Sequence, residues 1–290
     1  MIGILTPYGR CETTIAAIRL ADFIAGQGYE VGLMACGVHE QGVHPIWDHR
    51  IICDHKSRSY HAAAKCDAYV HFLLDQSYLD VTTLVQPNAK QIVVPNWTVV
   101  GTAADALLRR YTSVVCPSRA CFRSIKHSLY GTRFAKPTLI DWCRWDAGVL
   151  EVGREGTVAD NSIRLCFHCD HEAVDYSSTI VLRLAGEILQ LSPKAHVTIL
   201  ADKSWPRAIR RRLSHMTREY HSRFVAKSAG TLAAQMTEYH THDWVVLPTG
   251  CSAFGLAATR ARACGTPVIA YDVEPFNEII DVEKNGLLVD

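Results

Sequence analysis

Short apolar runs alternate with helix-length segments from the first residues onward, and this alternation restricts the possible folds more than any other feature. Residues 2–6 form a β-type run, residues 13–26 carry apolar side chains at helical spacing, and residues 30–35 form a second β-type run. A strand, a helix and a second strand in this order make a right-handed βαβ unit with parallel strands. The sequence therefore predicts an α/β fold built on a parallel sheet.

The alternation continues along the chain and is interrupted once. Further β-type runs lie at residues 68–74, 91–95, 113–117, 163–168, 195–200, 244–247 and 267–271, and helical spacing recurs at 178–191, 231–240 and 255–263. Residues 148–161 are polar and contain Gly153 and Gly156, as is typical of an interdomain linker. We predict two doubly wound, Rossmann-like domains, residues 1–147 and 162–290, joined by this linker.

Composition excludes several classes of protein. The 290 residues are 48% hydrophobic and 20% charged, which fits a globular protein and excludes disorder and coiled coil. A formal charge of +1 provides no global field that would attract nucleic acid or a membrane. The 11 cysteines lack the spacing of a disulfide scaffold, the N-terminus lacks a basic signal region, and the longest uncharged apolar run, residues 244–259, is too short to span a bilayer. We expect a cytoplasmic protein with reduced cysteines and no transmembrane segment.

The most informative stretch begins at the apolar run 244–247. Pro248 and the small residues after it lead into a helix that begins near Gly255, and a strand that runs into a helix N-terminus offers backbone N–H groups and a positive dipole end to a phosphate. Further along the chain stand the sequences Cys-Gly-Thr-Pro-Val-Ile at 264–269 and Asn-Gly-Leu-Leu-Val at 285–289. The sequence therefore predicts a phosphate-binding segment in the second domain.

These motifs resemble the donor-binding segment of GT-B glycosyltransferases, most closely glycosyltransferase family 4. Phe254 with Gly255, residues 264–269, Glu278 and residues 285–289 stand at the family's characteristic places. The resemblance implies two Rossmann-like domains facing a cleft and retaining transfer of a sugar from a nucleotide sugar. GT-B folds usually continue through further helices, whereas this chain ends at Asp290, so we expect a minimal form or a missing tail.

The resemblance also implies roles for individual residues. In the first domain, Gly9 and Arg10 are expected near the donor phosphates and His71 near the reacting sugar, with His71 and Ser252 as candidate catalytic residues. A lone histidine at a strand end is otherwise most often a structural residue. The predicted donor-binding set is Gly9, Arg10, Thr249, Gly250, Cys251, Ser252, Ala253, Phe254, Gly255, Leu256 and Arg260.

The chain departs from the family at the positions that bind the donor diphosphate and ribose. Ser252 and Arg260 stand where the family has two glutamates, and residues 168–175 contain no basic pair where the family has an arginine and a lysine. Losing charge-assisted contacts of this kind weakens diphosphate binding. Two hypotheses follow: an active glycosyltransferase that holds its donor differently, or a catalytically silent GT-B protein that acts as a binding or regulatory subunit.

Metal and hydrolase sites are disfavoured by spacing. Asp-x-Asp is absent from the sequence, which favours a site without metal or other cofactor. Cys166, His168, Cys169 and His171 resemble half of a zinc site, but positions i and i+3 of a strand face opposite ways. The histidines between residues 39 and 61 lack helical metal spacing, and Ser252 lacks the glycine spacing of a nucleophile elbow.

Arginines are concentrated between residues 205 and 223. Arg207, Arg210, Arg211 and Arg212, followed by Arg218 and Arg223, make this the strongest charge cluster in a nearly neutral chain. The cluster is read either as a solvated helix face or as a patch that contacts the phosphates of DNA, an anionic lipid or a polyanionic acceptor. A third hypothesis is therefore a DNA-modifying glycosyltransferase of the kind that bacteriophages carry. The acceptor and the oligomeric state are left open by the sequence.

Overall fold

The computed structural model describes most of the chain and divides it into two compact units. The described residues are 1–7, 12–36, 66–72, 76–95, 106–128, 137–140, 162–169, 174–201, 207–228, 232–249 and 254–290. The first unit is Met1–Trp142 and the second is Cys143–Asp290. The predicted linker, residues 148–161, lies outside the described residues, so its bounds and those of the two predicted domains stay a prediction.

The first unit contains a parallel sheet in the order β2-β1-β3-β4-β5-β6. Its elements in chain order are β1 (Ile2–Pro7), α1 (Glu12–Gly26), β2 (Val31–Cys36), β3 (Ala68–His71), α2 (Gln76–Val85), β4 (Lys90–Val93), β5 (Ser113–Cys116), α3 (Arg119–Ser128) and β6 (Thr138–Leu139). In α1, Ala17 and Ala21 are fully buried at a spacing of four residues, which presents one face of the helix to the sheet.

The second unit contains a parallel sheet in the order β12-β11-β10-β7-β8-β9. Its elements are β7 (Ile163–Cys169), α4 (Val174–Leu191), β8 (Ala195–Ala201), α5 (Arg207–Tyr220), a short 3-10 turn (His221–Arg223), β9 (Phe224–Ser228), α6 (Leu232–His240), β10 (Trp244–Leu247), α7 (Leu256–Ala263), β11 (Val268–Tyr271), α8 (Phe276–Ile279) and β12 (Gly286–Val289).

Two separate hydrophobic clusters cover the two faces of this second sheet. On one face, α4 and α5 pack their apolar stripes, such as Val181 and Leu213, against Phe167 and Ile199. On the other face, α6 and α7 pack against alternate residues of the same strands, such as Cys166. The alternation of strand side chains between two helical layers is that of a doubly wound fold.

The predicted fold class is confirmed, because both sheets are parallel and their strands alternate with helices. The predicted run 244–247 coincides with β10, and the other predicted runs overlap their strands within a few residues. The strands β6, β9 and β12 were not predicted. In β9, at the edge of the second sheet, Val225, Lys227 and Ser228 are exposed, so no continuous apolar run is needed. Among the described helices, none combines the length and the hydropathy that crossing a bilayer requires.

Candidate functional site

The strand order of the second sheet reverses between β7 and β10. From β7 the chain proceeds through β8 to the edge strand β9, and then returns to the other side of β7 to form β10. Crevices at the carboxyl ends of strands beside such a reversal are the usual ligand sites of open α/β sheets. Thr249, which follows β10 at this point, is buried, and α7 begins a few residues further on.

The first turn of α7 lies at this carboxyl edge, directly after a glycine. The N-cap is Gly255, in the left-handed conformation with φ of 62°. Phe254 before it is fully buried, and Leu256, the first residue of the helix, is buried too. A glycine is favoured here because a Cβ is strained at this φ. The N-terminal end of α7 therefore carries the positive end of the helix dipole toward the predicted site.

Gly255 is also required by close packing against α8. A methyl group added at Gly255 would overlap the Ile279 Cδ1 atom and lie 3.3 Å from the Pro275 Cγ atom. The backbone at the start of α7 thus rests directly on the segment 274–279. This contact brings Gly255 next to the segment that contains Glu278.

The motif at 264–267 ends α7 and is hydrogen-bonded to α6. Gly265 has φ of 68°, and the Thr266 hydroxyl donates to the Tyr239 carbonyl oxygen at 2.8 Å. The Cys264 thiol is buried, donates weakly to the Met236 carbonyl oxygen at 3.5 Å, and has its pKa raised to about 11 by burial. A thiol in this state is not a nucleophile at neutral pH, so the motif has a structural role.

Arg260 is buried in α7 and faces α6. Its Nη1 donates to Gln235 Oε1 at 3.3 Å. Gln235 lies near the start of α6, and α6 follows β9, so it begins at the carboxyl edge of the sheet. The guanidinium is therefore held toward the edge where the predicted donor site lies.

A buried pair of side chains at the end of β7 was not anticipated from the sequence. His168 Nδ1 lies 2.7 Å from the Tyr239 hydroxyl oxygen, and both side chains are buried. The pair joins the carboxyl end of β7 to α6, next to the strand reversal. Only the position of His168 near the end of a predicted strand could have indicated it, because its partner lies 71 residues away.

Three of the four residues that resemble half of a zinc site lie in the described part of the chain. Cys166, His168 and Cys169 lie in the strand β7, as the prediction against zinc assumed, whereas His171 lies outside the described residues. Across the described ranges, no group of three or more histidine, cysteine, aspartate or glutamate side chains could hold a metal ion.

His71 ends β3 in the first sheet, beside the strand reversal between β1 and β3. The ring is fully buried, its Nε2 lies 2.8 Å from Gln91 Oε1, and Thr82 donates to the same oxygen at 3.0 Å. The ring also packs edge-on against Tyr111, with 5.2 Å between centroids. In this geometry Nε2 donates to Gln91, and the imidazole reaches no solvent. Such surroundings are those of a buried structural side chain, and the catalytic role of His71 stays a prediction.

The remaining predicted residues fall into two groups. Gly9, Arg10, Gly250, Cys251, Ser252 and Ala253 lie outside the described residues, as do the histidines between 39 and 61. Arg207 begins α5, and Arg210, Arg211, Arg212 and Arg218 are exposed on the same helix. Arg223 differs from them, because its Nη1 donates to the Leu189 and Ser192 carbonyl oxygens at 3.1 Å and its guanidinium lies over the Tyr220 ring.

The burial of His71 gives a testable pH dependence of stability. Desolvation lowers the pKa of His71 to about 4, below the ordinary value of about 6.5. Between these two values the unfolded chain binds the proton and the folded chain does not, so the unfolding free energy falls as pH falls from 6.5 toward 4. The His71 contribution to this fall is about 3 kcal/mol.

Chemical denaturation between pH 4 and pH 7.5 measures this contribution. The variant His71→Gln lacks the titrating group, so its unfolding free energy is expected to vary less steeply with pH than that of the wild type. Other groups, including His242, whose pKa is also lowered by burial, titrate in both proteins and cancel in the comparison. Parallel pH profiles of the two proteins would contradict the expectation.

The fold of the chain is that of the GT-B glycosyltransferases. The solved structure of HepE from Anabaena, determined in complex with UDP-glucose, superposes with a TM-score of 0.70 over 99% of this chain and 85% of that one, at 13% sequence identity. At this identity the similarity concerns the fold alone.

The sequence of the second unit resembles group 1 glycosyltransferases, as predicted. Residues 183–290 match the family model described as glycosyl transferases group 1. A D-inositol 3-phosphate glycosyltransferase from Jonesia denitrificans is 42% identical over 69 residues, 24% of this chain and 16% of that relative. One from Rhodococcus opacus is 30% identical over 118 residues, 38% of this chain and 26% of that relative. The chain therefore spans about a sixth to a quarter of the length of these relatives.

Proposed function

We propose that this chain binds a nucleotide sugar through its second unit and transfers the sugar to an acceptor. The observation that carries the proposal is the first turn of α7: it begins at a left-handed Gly255, lies at the carboxyl edge beside the strand reversal, and belongs to the segment that matches group 1 glycosyltransferases. A helix N-terminus at such an edge favours phosphate groups through its dipole and its first N–H groups.

In this proposal the donor diphosphate is bound by the sequence segment 249–256, which includes the predicted donor-binding residues Gly250, Cys251, Ser252 and Ala253. Arg260 supplies positive charge from the carboxyl edge in place of the family's glutamate. The role of Gly9 and Arg10 at the donor phosphates, which the resemblance to family 4 implies, stays a prediction. The His168–Tyr239 pair fixes the carboxyl end of β7, beside the strand reversal.

The nature of the donor and of the reaction is proposed from similarity. HepE was solved with UDP-glucose and with UDP, which supports a uridine nucleotide as the first donor to test. The absence of Asp-x-Asp from the sequence supports transfer without a metal ion. Resemblance to family 4 supports retention of configuration at the anomeric carbon. Six of the described cysteines are buried free thiols, which supports a cytoplasmic protein.

Thermal unfolding with a panel of nucleoside diphosphates and nucleotide sugars tests the proposal. A ligand that binds only the folded chain stabilises it by about 2.7 kcal/mol at 100 times its dissociation constant, a rise in melting temperature of about 5 °C or more for a chain of this size. We expect such a rise with one sugar nucleotide and a smaller one with its nucleoside diphosphate.

Two variants make this measurement specific to the site. Gly255→Trp fills the start of α7 and is expected to abolish the ligand-induced rise relative to its own unliganded melting temperature. Gly265→Ala, at the other end of the same helix, is expected to keep the rise, because nothing lies within 4 Å of its new methyl group. No rise with any ligand at millimolar concentration would contradict donor binding.

A second candidate function is a catalytically silent GT-B subunit. Ser252 and Arg260 in place of two glutamates favour it, and the solved structures with a similar fold include the GtfA/B complex, with a TM-score of 0.53 at 15% identity over 80% of this chain. Release of the nucleoside diphosphate from a bound nucleotide sugar separates the two candidates. A transferase releases it with a suitable acceptor, whereas a silent subunit binds the donor and leaves it intact.

A further inference from the structure

The exposed surface of α5 carries four arginines, and the proposed sugar transfer uses none of them. Arg210, Arg211, Arg212 and Arg218, the α5 arginine face, are all exposed. Within the described part of the chain none of the four has an ion-pair partner, and the one acidic residue of the helix, Glu219, pairs with His215 at 3.4 Å. The chain as a whole has a formal charge of only +1, so this surface is a local concentration of positive charge.

The opposite side of α5 holds the helix firmly on the sheet. Leu213, Met216 and Tyr220 are buried in the cluster formed by α4, α5 and the strands β7 to β9. Arg223 follows the helix and binds carbonyl oxygens at the end of α4. The α5 arginine face is therefore presented on a rigid element and needs no rearrangement to bind.

We propose that the α5 arginine face binds the phosphate backbone of a double-helical nucleic acid. All the cations of this helix are arginines, and a guanidinium matches a phosphate with two parallel hydrogen bonds. Arg210, Arg211 and Arg218 lie within about 100° of one another around the helix and span about 12 Å of its axis, and Arg212 lies about 100° beyond Arg211. Phosphates follow one another along one strand at about 3.4 Å of duplex axis. The surface is thus long enough to contact several phosphates of one strand.

Other partners fit this surface less well. Amphipathic helices bind membranes by burying an apolar face, and the large apolar side chains of α5 pack in the protein core. Single strands bind through stacking of bases on aromatic side chains, and the only aromatic residue of α5, Tyr220, is buried. Exposed ion pairs would add little affinity for an acidic protein partner or a second copy of the chain. Binding to a duplex gains affinity because it releases condensed counterions.

Binding of the full chain to a 20-base-pair DNA duplex, followed by fluorescence anisotropy as a function of salt, tests the proposal. Four phosphate contacts predict a slope of about −3.6 for the logarithm of the association constant against that of the salt concentration. The wild type is then expected to bind roughly 100-fold more weakly at 200 mM than at 50 mM salt.

Three variants assign the binding to the α5 arginine face. Replacement of all four arginines by alanine, a strong helix former, is expected to weaken binding roughly 100-fold at 50 mM salt with an unchanged circular dichroism spectrum. Replacement by lysine is expected to preserve the salt slope with a weaker affinity, because lysine binds phosphate as a point charge. The matched control removes four exposed cations elsewhere in the second unit and is expected to bind like the wild type: Arg183→Ala, Lys194→Ala, Arg262→Ala and Lys284→Ala.

Several results would overturn the proposal. They are no duplex binding at 50 mM salt, equal binding by the four-alanine variant, or an equal loss in the control. Tighter binding to a single strand, to inorganic polyphosphate or to anionic phosphatidylserine vesicles than to the duplex would also overturn it. None of these outcomes depends on sugar transfer, so the duplex-binding proposal and the donor-binding proposal are tested independently.

Discussion

Replacing Gly255 with alanine is expected to destabilise the protein and to abolish donor binding. At φ of 62° a Cβ costs about 1–2 kcal/mol, and the overlap of the new methyl group with Ile279 adds about 1–3 kcal/mol. The unfolding free energy should therefore fall by about 2–5 kcal/mol in chemical denaturation. The Ile279 side chain can rotate away, but the Pro275 ring, whose Cγ lies 3.3 Å from the new methyl group, cannot, so we expect the first turn of α7 to shift and the ligand-induced rise in melting temperature to disappear.

Two companion variants separate the causes of this effect. Gly265→Ala places the same methyl group at nearly the same φ, 68°, but in open space, so only the backbone cost of about 1–2 kcal/mol is expected. In the double variant Gly255→Ala with Ile279→Ala, the overlap is removed. Its loss of unfolding free energy should therefore be smaller than the sum of the losses of the two single variants. Equal losses for Gly255→Ala and Gly265→Ala would mean that the contact between α7 and α8 does not constrain Gly255.

Replacing Gly286 with alanine is expected to weaken the pairing of β11 with β12. The added methyl group would overlap the backbone carbonyl oxygen of Val268 and lie 2.9 Å from Ile280 Cγ2. Val268 and Gly286 are directly paired in the parallel sheet, so the overlap can be relieved only by moving a strand. We expect a loss of about 3 kcal/mol in the unfolding free energy, at the upper end for overpacking.

Gly26→Ala is the matched control for this strand substitution. Nothing lies within 4 Å of a methyl group at Gly26, the last residue of α1, so the change should leave stability equal or raise it by up to about 1 kcal/mol. Hydrogen exchange provides a second readout, because Gly286→Ala should expose the amides of β11 and β12 and leave β7 and β8 protected. Uniform loss of protection across the second sheet would contradict a local effect.

The sequence predicted the elements whose pattern is local. Runs such as 244–247 are strands because residues buried on both faces of a sheet are continuously apolar. The edge strand β9 lacks such a run, because one side of it is exposed, and it was missed. The motifs at 254–255 and 264–266 were recognised from the sequence, but the reason for these residues lies in tertiary contacts. Gly255 contacts α8, and the Thr266 hydroxyl donates to the carbonyl oxygen of Tyr239.

The candidate site could be predicted only in part for the same reason. The position of the donor segment follows from a strand that leads into a helix, which is a local pattern. The pairing of His168 with Tyr239 and the burial of His71 against Gln91 depend on residues far apart in the chain. Arg223 belongs to the predicted arginine cluster by sequence, whereas in the fold it binds the end of α4. Spacing along the chain does not specify such contacts.

Hydrogen exchange with and without a nucleoside diphosphate tests the central proposal, that the donor binds at the first turn of α7, most directly. We expect UDP, at a concentration that raises the melting temperature, to protect amides of residues 249–258 and to leave those of α5 unchanged. Protection confined to other segments, or exchange at residues 249–258 that saturating nucleotide does not alter, would contradict the proposed site.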